Sequence, residues 1–271
     1  MMLIGLLIAL AGQTLAAQRE RQARDPVAQA RVLYNDGQYD QAIAAAKDAQ
    51  ASPSLGNAAS LVLGRAHIER FRRTGDAADL IAAREALRSV KTAGLASRDR
   101  VELVIGLGEV LYLENSFGAA AQMFETILER APEVGPGARD RVLDWWATAL
   151  DREAQERGPA ERAAIYGAIL SQMRDELRTD PASAVAGYWL AAAWRGLGDL
   201  ESAWTAAVAA WVRAPIAGER GASLRTDLDR LVSYAIIPER ARRQGPGRNV
   251  DESVAALTAE WEQIKERWTG K

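Results

Sequence analysis

The spacing of apolar residues predicts a helical chain. Beyond residue 18, apolar side chains recur at intervals of three and four positions, which places them on one face of an α-helix. No convincing alternation of apolar and polar residues, the pattern typical of strands, is found. Each substantial segment is therefore expected to be a helix, and the fold class is expected to be all-α.

Turn signals divide these helices into pairs. Turns are predicted at residues 35–37, 74–76, 114–115 and 196–199, and helix stops are predicted at Pro53, Pro132, Pro181 and Pro215. The turns lie 38 residues apart from Gly37 to Gly75, 40 from there to Asn115, and 83 from there to Gly198. The sequence Arg98-Asp99-Arg100-Val101 also returns 41 residues later as Arg139-Asp140-Arg141-Val142. A regular period of helix, turn and helix predicts a helical solenoid.

Two of the units resemble the tetratricopeptide repeat. The third unit matches that motif at Leu107, Gly108, Leu111, Asn115, Phe117, Ala120, Phe124 and Pro132, and the fifth at Leu190, Ala191, Trp194, Gly198, Leu200, Ala203, Ala207, Ala210 and Pro215. The resemblance extends more loosely over residues 24–216. It implies a right-handed α-α superhelix of about five helical hairpins over residues 18–216.

The C-terminal part of the chain is expected to cover the last repeat. Residues 217–243 are predicted to hold a capping helix that Pro238 breaks, and residues 244–248 a linker. The aromatic stripe of Trp204 and Trp211 is expected to be buried under the capping helix. Residues 249–271 predict a helix opened by Asn249 and Glu252, with an apolar stripe formed by Val250, Val254, Leu257, Trp261, Ile264 and Trp268. That stripe is expected to fold back onto the last unit; the alternative is a free helix that binds another protein or its own copy.

The N-terminus is typical of an export signal. Residues 1–17 combine an apolar run from Met2 to Gly12 with the small residues Ala16 and Ala17, as in a secretory signal peptide. The protein is therefore expected to be exported and to be periplasmic or extracellular. No Lys or Arg precedes the apolar run, so an uncleaved N-terminal membrane anchor is the alternative.

Composition excludes several kinds of chemistry. The chain has no cysteine, so disulfides, thiolate metal sites and cysteine nucleophiles are ruled out. The 34 Lys and Arg residues nearly balance the 36 Asp and Glu residues, which argues against a nucleic-acid partner. The single histidine, His67, is interpreted as a packing residue, and the pairs Asp227 with Asp229 and Glu260 with Glu262 as solvated charges. No catalytic residue, metal or cofactor is expected.

The resemblance also places a binding surface on the concave wall, formed by exposed positions of each first helix. Aligned on the motif, these positions are Arg31, Tyr34, Asn35, Arg65, Glu69, Glu109, Tyr112, Trp146, Tyr188 and Arg195. Aromatic residues mixed with both signs of charge favour a peptide or protein ligand over a polyanion.

The sequence therefore predicts a non-catalytic scaffold or adaptor of the cell envelope that binds a protein partner. Two alternatives come from other classes. One is a homo-oligomer assembled through residues 249–271. The other is a polysaccharide hydrolase with a helical-toroid architecture, which would require two acidic groups facing each other in a deep pocket.

Overall fold

A computed structural model describes residues 25–243 and 249–269 of the chain. In these residues the regular structure is helical, so the all-α prediction is confirmed. The predicted signal peptide at 1–17 and the linker at 244–248 lie outside the described residues. Across the described ranges, no helix combines the length and apolar character needed to span a membrane. The chain divides into two compact units, one ending at Arg139 and the other beginning at Asp140.

The first unit consists of successive helix pairs. Its helices are α1 (Pro26–Asn35), α2 (Tyr39–Gln50), α3 (Gly56–Thr74), α4 (Ala77–Arg88), α5 (Ser97–Leu113) and α6 (Phe117–Glu125), followed by a 3-10 turn at Ala131–Val134. The turn inside each pair lies where the sequence predicts it. Gly37 and Gly75 adopt φ of 72° and Asn115 adopts φ of 60°, a left-handed conformation that glycine and asparagine favour.

Small residues let the helices of this unit approach closely. The core shared by α1, α2 and α3 includes Ala30, Ala42, Ala46, Ala59 and Ala66, all fully buried. A Cβ atom on Gly108 would lie 2.6 Å from the ring of Phe124, so the glycine makes room for the aromatic side chain. As a result, α3 contacts both α1 and α5, and the first helices of successive pairs lie side by side.

The second unit begins within helix α7, which spans Ala138–Gln155, because the boundary between the units lies just before Asp140. Its other helices are α8 (Pro159–Thr179), α9 (Ala184–Gly196), α10 (Leu200–Arg213), α11 (Glu219–Leu231), α12 (Ile237–Arg242) and α13 (Val250–Thr269). Helix α9 packs against α8, α10 and α11. The close contact of α9 with α8 depends on Gly196, because a Cβ atom there would lie 2.3 Å from the ring of Tyr166.

The predicted helix break at Pro238 is wrong. Helical structure continues past this residue through a π-helical turn at Val232–Ile236, and Pro238 lies in the first turn of α12. The N–H of Ile237 donates to the carbonyl of Val232, five residues earlier. A proline lacks an N–H and its ring collides with the carbonyl four residues before it. Because the π turn pairs each N–H with a carbonyl five residues earlier, the backbone just before the proline differs from that of a regular α-helix, and the helix continues through it.

The C-terminal helix folds back onto its own unit. Asn249 caps it, since the N–H of Asp251 donates to the Asn249 side chain at 2.9 Å. Trp261 is fully buried, with its ring centroid 5.7 Å from that of Trp204 and 5.3 Å from that of Trp211. The expectation that Trp204 and Trp211 are buried is therefore confirmed, although α13 covers them in addition to the predicted capping helix.

Candidate functional site

The first helices of residues 25–139 share a polar face, here called the first-helix face. It is formed by Arg31 and Tyr34 on α1, Arg65, Glu69 and Arg72 on α3, and Asp99, Glu102 and Glu109 on α5. Arg31 lies 3.0 Å from Asp99 and 3.7 Å from Glu102, which joins α1 to α5. Four residues predicted from the sequence, Tyr34, Arg65, Glu69 and Glu109, therefore take part in one connected network.

Glu109 is the centre of this network. Its carboxylate is 1% exposed and lies 3.3 Å from Arg65 and 3.0 Å from Arg72. Arg65 also donates to the hydroxyl of Tyr34 at 3.2 Å. Burial opposes the charge on Arg65, but Glu109 outweighs it together with Tyr34, so the pKa of Arg65 is raised. These charges compensate one another inside the face.

The structure corrects part of the predicted surface. Glu109 was expected to be exposed, but it is buried because Arg65 and Arg72 enclose it. Tyr112 is half-buried and packs edge-on against Phe117, with ring centroids 5.3 Å apart, while Asn35 is exposed. Sequence reasoning missed Arg72, although it lies seven residues after Arg65 and thus on the same side of α3.

His67 belongs to a separate buried cluster. Its Nδ1 lies 2.6 Å from a carboxylate oxygen of Asp79, and Arg70 binds the same carboxylate at 2.6 Å. The side chains of His67 and Asp79 are 5% and 3% exposed. Hydrogen bonds from Arg70 hold the pKa of Asp79 below its ordinary value, so the carboxylate stays ionised. The position of His67 between helices agrees with a packing role.

The second unit holds a cavity of about 600 Å³ between α7, α9 and α11. Helix α7 supplies Asp144, Thr148, Asp151, Arg152 and Gln155, helix α9 supplies Ala184, Val185, Tyr188 and Trp189, and helix α11 supplies Arg220, Ser223, Leu224 and Asp227. The volume falls within the range of small-ligand sites in proteins. Aromatic side chains and three carboxylates line one space.

Asp144 is poorly compensated in this cavity. One oxygen of its carboxylate accepts a hydrogen bond of 2.8 Å from the indole N–H of Trp189. Burial raises the pKa of Asp144, and the charge of Asp227 raises it further, while the bond from Trp189 opposes both. The pKa of Tyr188 is raised by burial first and then by the charges of Asp227, Asp151 and Asp144, while the charge of Arg195 opposes them.

The other charged residues of the cavity differ in their partners. Asp151 accepts hydrogen bonds of 2.8 Å from the hydroxyl of Tyr166 and 2.7 Å from Gln155. Arg220 forms an ion pair with Asp140, which is not part of the lining. Arg152 is exposed at the edge. The lining therefore contains more carboxylates than available cations.

Of the predicted site residues in this unit, the cavity contains Tyr188. Trp146 was expected to be exposed but is 5% exposed, because it packs into the core instead. Arg195 donates to Glu239 on α12 at 3.0 Å and does not line the cavity. Sequence reasoning missed Asp144 and Asp151, whose spacing of seven residues on α7 was the signal that both face the same side.

The two carboxylates of α11 differ from the sequence interpretation. Asp227 lines the cavity and is exposed, as interpreted, and it lies 3.8 Å from Arg230 on the same helix. Asp229 is not simply solvated, because it accepts hydrogen bonds of 2.8 Å from both Trp261 and Lys265 and so ties α11 to α13. Their spacing of two residues does place them on different faces.

Among residues 25–243 and 249–269, no group of three or more metal-ligating side chains is arranged to hold a metal ion. No family model matches the chain, and neither does any curated protein or any solved structure. Function is therefore inferred from the geometry of the chain itself.

Proposed function

We propose that this protein is a non-catalytic scaffold or adaptor that binds a peptide or protein partner on the faces of its first helices. The observation that carries the proposal is that each unit has one surface on which aromatic and charged side chains from different helices come together. In residues 25–139 the first helices of consecutive pairs lie next to one another and bear the aromatic and charged side chains of the first-helix face. In the second unit the first helices α7 and α9, together with the capping helix α11, bear those of the cavity. A tetratricopeptide-like superhelix, with the pairs stacked in series, belongs to this proposal.

The chemistry of these surfaces supports a polypeptide ligand. Tyrosine, tryptophan and arginine are the side chains that most often supply binding energy at protein interfaces. Tyr34 and Arg65 lie together on the first-helix face, and Tyr188 and Trp189 lie together at the cavity. Both signs of charge occur on each surface, which favours a partner of mixed charge over a nucleic acid.

The proposal includes a location in the cell envelope. The signal-like residues 1–17 support export, so the partner would be met in the periplasm or outside the cell. Secretion of the full chain fused to a reporter that is active only after export tests this part. Retention of the reporter in the cytoplasm would contradict it.

The binding proposal is tested by site-specific photo-crosslinking in the native cell. A photoreactive amino acid replaces Asn35 or Tyr188 on first helices, and Lys47 or Thr205 on second helices as controls. Asn35, Lys47 and Thr205 are all exposed, so reactivity at these positions does not differ through burial. We expect discrete adducts from the first-helix positions. Equal labelling from the second helices, or no adduct from either first helix, would contradict the proposal.

A second candidate function is hydrolysis of a glycosidic bond in the cavity. The observation that favours it is Asp144, whose pKa is raised by burial and by Asp227, as a general acid requires. In such a reaction Asp144 would protonate the oxygen of the leaving group. A second carboxylate would act either as the general base that activates water or as the nucleophile that attacks the anomeric carbon. Release of reducing ends from cell-wall polysaccharide, abolished in Asp144→Asn, would establish this activity in place of the adaptor role.

A further inference from the structure

The cavity of the second unit has a chemical character that the proposed function does not yet specify. Its walls are an aromatic pair, Tyr188 and Trp189, with ring centroids 5.5 Å apart, and carboxylates approach from α7 and α11. The ligand that fits such walls is extended, carries a positive charge and presents a flat face. An arginine side chain has these properties, since its guanidinium group binds carboxylates and stacks on aromatic rings.

The charge balance points the same way. Asp144 and Asp227 lie close enough for the charge of Asp227 to raise the pKa of Asp144. Of the two arginines in the lining, Arg220 is already paired and Arg152 lies at the edge. The ion pair of Asp227 with Arg230 on its own helix is 3.8 Å long and exposed, so the carboxylate can still accept a closer cation. A cation placed between α7 and α11 would relieve the repulsion between the two carboxylates.

The walls are held in position before any ligand binds. The indole of Trp189 is fixed by its hydrogen bond to Asp144, and Asp151 is fixed by the hydroxyl of Tyr166. Tyr166 is in turn set against Gly196, where no side chain could be accommodated. A preformed site loses little conformational freedom on binding.

We propose that the cavity lined by Asp144, Tyr188 and Asp227 receives an arginine side chain of the partner polypeptide. This inference rests on the protein-binding function proposed above and names the chemistry by which one of its surfaces recognises a ligand. The first-helix face of residues 25–139 is not part of it, because its buried charges already pair with one another.

The test uses the full chain and two capped amino acids, N-acetyl-arginine amide and its uncharged isostere N-acetyl-citrulline amide. Binding is followed by NMR at the indole N–H of Trp189, assigned by comparison with Trp189→Phe. We expect the arginine probe to shift this resonance in a saturable way and the citrulline probe not to. Equal shifts from both probes, or no saturable shift from the arginine probe, would overturn the inference.

Substitutions then locate the site. Asp227→Asn is expected to weaken binding of the arginine probe about fivefold, the size expected of a partly exposed ion pair. Asp144→Asn is expected to weaken it further, while Asn can still accept the hydrogen bond from Trp189. The matched control is Asp175→Asn, which alters an exposed aspartate on α8 that pairs with Arg178 on the same helix. Equal affinities for Asp227→Asn and Asp175→Asn would overturn the assignment.

The probe-binding experiment and the crosslinking experiment can have different outcomes, so the arginine site and the adaptor role can be rejected independently of one another. Adducts at Asn35 and Tyr188 without any binding of the arginine probe would leave the adaptor role standing and remove the arginine site. Binding of the probe without any adduct would remove the adaptor role, and with it the partner polypeptide, and would leave the cavity only as a site for a free arginine-like cation.

Discussion

Asp79 in the first unit is buried and Asp144 in the second is half-buried, both at helix contacts, yet their surroundings shift the two pKa values in opposite directions. Asp79 receives hydrogen bonds from Arg70 and His67, and these hold its pKa below the ordinary value. Asp144 receives one hydrogen bond, from Trp189, and its pKa is raised by burial and by the nearby Asp227. Neighbouring side chains of the protein compensate the charge of Asp79, whereas they do not fully compensate that of Asp144.

The difference separates a structural cluster from a candidate site. A buried charge with enough partners stabilises the folded chain in its ionised form, whereas one with too few costs stability in that form. Proteins retain such costs mainly where binding or catalysis needs the charge. The contrast therefore favours a packing role for the Asp79 cluster and supports the proposal that the cavity around Asp144 binds a ligand.

The largest effect is expected from Asp79→Ala. The substitution leaves the buried His67 and the guanidinium of Arg70 without their shared acceptor, and removal of one partner from a buried ionic cluster costs about 3 kcal/mol. Urea denaturation monitored by circular dichroism measures the loss. Asp48→Ala, at an exposed position of α2, is the control and should change stability by less than about 0.5 kcal/mol. Similar losses of stability in both variants would show that the ion pairs of Asp79 do not stabilise the fold more than an exposed aspartate does.

A smaller effect of opposite sign is expected from Asp144→Asn. The amide keeps an oxygen that accepts from Trp189 and removes the under-compensated charge, so stability at pH 7 should rise by roughly 1 kcal/mol. Thermal unfolding of the variant and the native chain measures the gain. Below the ordinary aspartate pKa of 3.8 the native side chain is protonated in both states, and the gain should disappear. A loss of stability at pH 7 would show that Asp144 is already compensated.

The two units should also respond to acid differently. Burial lowers the pKa of His67 below its ordinary value of 6.5, so the unfolded state binds a proton that the folded state does not. Stability of α3 and α4 is therefore lost as the pH falls below 6.5, and Asp79 adds a further loss below 3.8. For Asp144 the folded state binds the proton more readily, so its cost declines as the pH falls through the raised pKa towards 3.8.

Hydrogen exchange resolved by segment measures this contrast between pH 7 and pH 5. At pH 5 the protection of amide hydrogens in α3 and α4 should be lower than at pH 7, by less than the effect of Asp79→Ala. Asp144 should cause no such loss of protection in α7 and α9, because its destabilising charge becomes less costly as the pH falls. In His67→Gln the pH-dependent loss in α3 and α4 should be reduced, because the titrating group is gone. An unchanged loss in that variant would assign the acid response to another group.

The helical fold was predictable because its signals are local. Apolar spacing and the turn residues Gly37, Gly75 and Asn115 act within a few positions of the chain, and the structure places turns at each of them. Pro238 misled the prediction, since the rule that proline ends a helix ignores the π-helical turn that precedes it here. That the C-terminal helix folds back was predictable from its apolar stripe, but the contacts of Trp261 with Trp204 and Trp211 depend on how α13 packs against α10.

The candidate site was predictable only in part because its contacts join distant positions. Tyr188 was found from its place on a first helix, but the bond between Trp189 and Asp144 spans 45 residues and has no local signal. Glu109 was placed on the surface because its helix position is usually exposed. Its burial depends on Arg72, which lies 37 residues earlier and pairs with it across two helices. Charge compensation is a tertiary property, so sequence patterns locate such residues without showing which are satisfied.

The smallest effect, and the sharpest test of the contrast, is expected from Asp227→Asn. This side chain is exposed, so its substitution should change stability by only a few tenths of a kcal/mol. It should nevertheless lower the pKa of Asp144, because the charge that opposes its ionisation is removed. NMR titration of the Asp144 carboxyl carbon measures this shift, with Asp175→Asn as the control that should leave the pKa unchanged. An unchanged pKa in Asp227→Asn would mean that burial alone perturbs Asp144, and the two carboxylates would then not form a common binding site.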